Sequence, residues 1–157
     1  VGLMVAIVQG GLIRSIVPKL GETKSIYLGL AFYAFGFFLF SLASQGWMMY
    51  AIMIPFALSG IAGPTLQGLI SKQVQPNEQG ELQGAMTSLV SLTAIFGPIL
   101  HTQLFAHFSS QNAIFYFPGA AFFFGAVMAA VSLLIFWNYY KPKKQIIPTP
   151  TAVPKVD

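Results

Sequence analysis

The chain contains no cysteine and very little charge. Without cysteine there is neither a disulfide nor a thiolate metal site. Asp, Glu, Lys and Arg supply only 8% of its residues, against about a quarter in an ordinary soluble domain. A surface of soluble type is therefore excluded. Catalytic patterns are missing too: there is no Gly-rich Walker loop, no HExxH, and no carboxylate pair inside an apolar stretch. No catalytic residue, cofactor or metal site is read from the sequence.

What is present is apolar. Hydrophobic residues make up 55% of the chain, and the mean hydropathy is +0.70. No Asp, Glu, Lys or Arg occurs over 25–71 or over 82–140. Each gap holds two stretches of about 20 residues, the length a helix needs to cross a bilayer core. The fold class expected is all-α integral membrane, with four complete spans at about 25–43, 48–70, 82–105 and 114–137. Residues 1–13 read as the end of a truncated span, because the chain starts on Val inside an apolar run.

Between the spans lie two charged loops and two uncharged turns. The first loop, 14–24, carries Arg14, Lys19 and Lys24 against Glu22, with Pro18 and Gly21 as breakers. The second, 71–81, holds Lys72, Glu78 and Glu81; Asn77 is its expected N-cap, with both acids in the first helical turn. The turns at 44–47 and 107–112 have no formal charge. Lys141, Lys143, Lys144 and Lys155 sit in the Pro-rich end, 141–157, read as a disordered tail. The positive-inside rule then places both charged loops and the C-terminus in the cytoplasm. The net charge of +4 is a sign of orientation and not of nucleic-acid binding.

Two spans carry faces of small and polar residues. At 100° per residue, Gly84, Thr87, Ser88, Ser91, Ile95, Pro98 and Thr102 share about a third of the circumference. Leu89, Phe96, Leu100, Met86 and Leu104 cover the other side, suited to lipid. Gly80, Gly84 and Ser88 form a small-xxx-small series. The face serves either close helix packing or a wet cavity wall, with Gly97 and Pro98 bending the helix in both cases. On the preceding span Gly60, Gly63, Pro64 and Gln67 share one side. Gln67 calls for a partner at membrane depth, either another helix or a substrate, and Gln9 carries the same two readings. His101 either snorkels to the nearby interface or exchanges protons.

The stretch SGIAGPTLQGLISKQVQPNEQGELQGAMTSLVSLTAIFGPIL closely resembles the tenth and eleventh helices of the tetracycline-exporter group of the major facilitator superfamily. SQGWMMY resembles the turn before them, and GGLIRSIVPKLGETK resembles the degenerate second copy of the superfamily's cytoplasmic loop motif. The resemblance implies part of the C-terminal six-helix half of a twelve-helix secondary transporter that rocks between two states around a midplane site. It implies proton-driven drug export across a bacterial inner membrane, with a small molecule, the proton, membrane lipid and the missing N-terminal half as partners. It also implies that Gln9, Gln67, Thr87, Ser88 and Ser91 face the cavity. Three positions depart from the group: Val5 stands where tetracycline exporters carry His, Pro18 replaces the motif's Asp, and His101 replaces an apolar residue. Export of an unrelated small metabolite and a non-transporting membrane scaffold are the alternatives.

Overall fold

The computed structural model describes residues 8–110 and 116–140, and among these all regular structure is helical. Gln9 and Leu12 are described in their backbone only, and Val5 and the 141–157 tail lie outside the described residues. Four helices are long and apolar enough to cross a membrane: α2 (Glu22–Leu42), α3 (Gly46–Ser71), α4 (Pro76–Phe108) and α5 (Ala120–Tyr139). They are preceded by α1 (Ile13–Leu20), which continues a π-helical turn, Val8–Leu12.

The first charged loop is not a loop. Helix runs through Arg14, Pro18 and Lys19 to Leu20, and resumes at Glu22. The whole change of direction falls on Gly21, whose φ of 83° is a backbone state that a side chain disfavours. Pro18 therefore breaks nothing. The helix keeps Ile13, Ile16 and Val17 against Val8, Ala57 and Ile61, and leaves Arg14 and Lys19 exposed.

At the second loop the N-cap is Gln75 and not Asn77. Gln75 and Glu78 form a reciprocal capping box around Pro76, which as the first helical residue has no N–H to satisfy. Glu78 and Glu81 do occupy first turns. At the far end helix α4 continues past the expected boundary, through His107 to Phe108. Helix α5 begins at Ala120 instead of near 114.

Helix α2 is the centre of the bundle. It runs antiparallel to α5 along its whole length: Tyr27 near its start donates to the Tyr140 carbonyl at 3.0 Å, and Ser41 near its end touches Gly119. Helix α3 crosses it at two glycines, Gly29 against Ala62 and Gly36 against Phe56. Lipid gives helices no hydrophobic reason to associate, so such close approach and ring packing take over. Phe56 meets Phe37 and Phe40 at centroid distances of 5.3 and 5.4 Å, and Phe122 of α5 meets Phe40 at 5.7 Å. Each such pair is worth about 0.5–1.5 kcal/mol.

Helix α3 changes pitch midway. Between Pro55 and Pro64 it tightens into a 3₁₀ turn, Leu58–Ile61, where missing proline N–H groups interrupt the ordinary ladder. Ser59 Oγ donates to the Phe56 carbonyl at 2.6 Å and Thr65 Oγ1 to the Ile61 carbonyl at 2.7 Å. Trp47 and Tyr50 at one end of the bundle, and Trp137 and Tyr139 at the other, are exposed as interface anchors are.

Candidate functional site

The α3–α4 hairpin is tied at its loop end by two side-chain bonds. Gln79 Nε2 donates to the Ser71 carbonyl at 2.7 Å, and Gln67 Nε2 donates to Gln83 Oε1 at 3.0 Å. Lys72 then pairs with Glu22 at the start of α2, so both charged regions lie at one end of the bundle. Each ion also suits its helix, the carboxylate at an N-terminus and the ammonium at a C-terminus.

Above these ties the two arms present one open side. On α3, Ile61, Ala62, Thr65 and Leu69 are buried, while Gly63, Pro64 and Gln67 are exposed. On α4, Gln79, Leu82, Met86, Gly97 and Leu104 are half-buried along the side nearest α5. The side diametrically away from them carries Gly84, Thr87, Ser88 and Ser91, all exposed. Ser88 Oγ donates back to the Gly84 carbonyl at 2.8 Å and Thr102 Oγ1 to the Pro98 carbonyl at 2.7 Å. The hydroxyls of Thr87 and Ser91 have no protein partner among the described residues.

Packing inside this chain is not what the hairpin glycines do. A Cβ built on Gly63, Gly80, Gly84 or Gly97 would meet nothing within 4 Å, and one on Gly60 only Val8 at 3.9 Å, among the described residues. The glycines that do permit close approach are Gly29, Gly36 and Gly119. Met86 and Leu104 likewise turn toward α5 and not outward, whereas Leu89, Phe96 and Leu100 are exposed. Pro98 lies inside an unbroken α4.

His101 is set apart from this face. Its Nδ1 bonds the Gly97 carbonyl at 2.8 Å, and its ring stands edge-on to Phe124 at 6.1 Å. It lines a cavity of about 320 Å³ between α2, α4 and α5, with Tyr33, Phe37, Phe124 and Ser132 among its neighbours. These neighbours belong to the middle of α2 and α5, so the imidazole is turned inward along the bundle and not toward the helix end.

The structure supplies a residue that sequence reasoning missed, Gln83. Its signal was present: Leu-Gln-Gly occurs at 66–68 and again at 82–84, and the two amides meet. Tyr27 was missed as well; an isolated Tyr inside an apolar span gives no sign of which carbonyls it reaches. Among the described residues no cluster of His, Asp and Glu could hold a metal ion.

Four apolar spans folded into hairpins, with their small-residue contacts and discontinuous third helix, define a multi-span membrane protein. The chain belongs to the Major Facilitator Superfamily, whose family description matches residues 2–156. It is 37% identical over 123 residues to the tetracycline resistance protein, class C, of Escherichia coli, covering 78% of this chain and 31% of that protein. To the class H tetracycline resistance protein of Pasteurella multocida it is 32% identical, over 94% of this chain and 34% of the relative. A bovine relative, hippocampus abundant transcript-like protein 1 of Bos taurus, is 32% identical over 86% of this chain and 30% of its own length. The chain thus spans about a third of the length of these curated relatives. No solved structure matches.

Proposed function

We propose that this chain is part of a secondary transporter, not an enzyme, that exports a drug-like or tetracycline-like small molecule in exchange for protons by alternating access. The observation that carries this reading is the open side of the α3–α4 hairpin. Polar groups at membrane depth need a partner in protein, water or substrate. Thr87 and Ser91 have none among the described residues, and Gln67 and Ser88 share their exposed side. The similarity to tetracycline resistance proteins supports the cargo class.

In this reading Gln9, Gln67, Thr87, Ser88 and Ser91 line the substrate cavity. Gly60, Gly63, Pro64, Gly80, Gly84, Gly97 and Pro98 shape the two helices for contact with the remainder of the transporter, chiefly its N-terminal half. His101 is the proton-coupling candidate. The protein sits in the bacterial inner membrane as a multi-pass protein with its C-terminus in the cytoplasm. Support comes from the Glu22–Lys72 pair and Tyr140, bonded by Tyr27, which share the end of the bundle where the cations cluster.

A second reading, export of an unrelated small metabolite by the same fold, is favoured by the bovine relative and by Val5 at the position where the exporters carry His. Susceptibility profiling of a pump-deficient bacterium expressing the full-length gene, with and without a protonophore, decides. Raised resistance to tetracycline-like compounds that the protonophore abolishes is expected. Unchanged susceptibility across a broad panel, with membrane expression confirmed, overturns the drug-export reading.

A further inference from the structure

We infer that Gln67 and Gln83 work as one two-amide binding site that holds a net-neutral, polyoxygenated cargo through hydrogen bonds at the loop end of the α3–α4 hairpin. The inference rests on the efflux reading above and assigns Gln83 a part in it.

The chemistry follows from what the contact leaves over. A carboxamide offers two N–H donors and an oxygen with two lone pairs. The bond from Gln67 Nε2 to Gln83 Oε1, 3.0 Å long, uses one donor and one lone pair. Gln67 keeps an N–H and its own oxygen; Gln83 keeps both N–H groups and a lone pair. Donors and acceptors therefore stand side by side on two exposed side chains, one helical turn before the unpartnered hydroxyl of Thr87. The mutual bond orients both amides before anything binds, which reduces the rotamer entropy lost on binding.

Charge sets the ligand class. No Asp, Glu, Lys or Arg lies in α3 from Gly46 to Ser71 or in α4 from Leu82 to Phe108. A net ion held between these arms would be desolvated without a counter-charge, at large cost. Carbonyl and hydroxyl groups on a net-neutral molecule match the free donors and acceptors with no such cost.

The competing account is that the pair merely ties two helices together. The structure contains its own control. Gln79 also joins α3 to α4, through the Ser71 carbonyl at 2.7 Å, and it is half-buried near the α5 side. A loss of tethering should be felt on removing either residue; a loss of cargo contact should be felt only at the pair.

The test is proton-gradient-driven uptake of radiolabelled tetracycline by the full-length transporter in proteoliposomes. Wild type is compared with Gln83→Leu, Gln83→Glu and Gln79→Leu at matched protein content. Gln83→Leu is expected to raise KM about tenfold, equivalent to ~1.4 kcal/mol, the range of a single hydrogen bond, with kcat within about twofold. Gln83→Glu keeps an acceptor for Gln67 but loses both donors, and is expected to raise KM at least about threefold. Gln79→Leu should leave KM within about twofold of wild type. An unchanged KM in Gln83→Leu overturns the inference, as does an equal rise in Gln79→Leu. Should Gln83→Leu fail to reach the membrane, an unchanged KM in Gln83→Glu overturns it instead. Absence of tetracycline uptake by the wild type overturns the efflux reading and the pair's part in it; wild-type uptake with a KM indifferent to position 83 overturns the pair alone.

Discussion

Gly29 and Ala62 meet backbone to backbone: a Cβ on Gly29 would stand 2.7 Å from the Ala62 Cβ and 2.8 Å from its nitrogen. Neither atom is the end of a flexible side chain, so a substituted α2 or α3 has to move bodily. Gly29→Leu is expected to destabilise the bundle by about 1–3 kcal/mol or more through overpacking. Gly125→Ala is the contrast, since its added methyl would meet the Phe37 ring at an ordinary 3.5 Å. Thermal unfolding followed by fluorescence-detected size exclusion distinguishes them; equal melting temperatures would refute the close approach.

Glu22 and Lys72 pair at an exposed edge, their side chains 32% and 67% accessible. Solvent screening limits such a pair to about 0–1 kcal/mol, so Lys72→Ala should lower stability only slightly. Lys72→Glu places like charges together at a helix C-terminus and should cost more. Exchanging both charges restores the pair but sets each against its helix dipole, so recovery should be incomplete. A double-mutant cycle by chemical denaturation measures this, and full recovery would remove the dipole contribution.

The Tyr27 hydroxyl donates to Tyr140 at 3.0 Å and lies 3.4 Å from the Phe136 carbonyl. Its ring packs edge-on against Phe136 and Trp137 at 4.9 and 5.5 Å. Tyr27→Phe removes the hydrogen bond alone and should cost about 1 kcal/mol. Tyr27→Ala removes the ring contacts as well and should cost several-fold more. Comparable losses for the two variants in a thermal-shift assay would show that the hydroxyl dominates.

His101→Ala is expected to abolish proton-coupled tetracycline accumulation in everted vesicles expressing the full-length protein. Normal uptake by this variant would withdraw His101 from coupling and leave it a packing group beside Phe124.

Much of the architecture was legible because bilayer length and charge-free runs leave few choices. The four spans follow from the gaps at 25–71 and 82–140. Boundaries were less legible. A single residue, Gly21, reverses the chain where an eleven-residue loop was expected over 14–24, because helix propensity and packing against Ile61 carry α1 through its charges. The hydroxyl face on α4 could be read from periodicity, but its side of the bundle could not. That depended on which flank half-buries against α5, and Met86 and Leu104 were placed there by packing. For Gln67 the sequence set the requirement for a partner; only the fold named Gln83.

The 3₁₀ interruption of α3 has a mechanical consequence. A proline-flanked pitch change would ordinarily make a soft joint in the span. Here each side of the joint is keyed into the same neighbour, Phe56 against Gly36 on one side and Ala62 against Gly29 on the other. Helix α2 thereby acts as a splint: the bend is set as a shape, and α2 and α3 travel as one rigid strut. Helix α4, with no buried residue in its Gln79–Phe108 stretch, is the arm with freedom to swing against that strut.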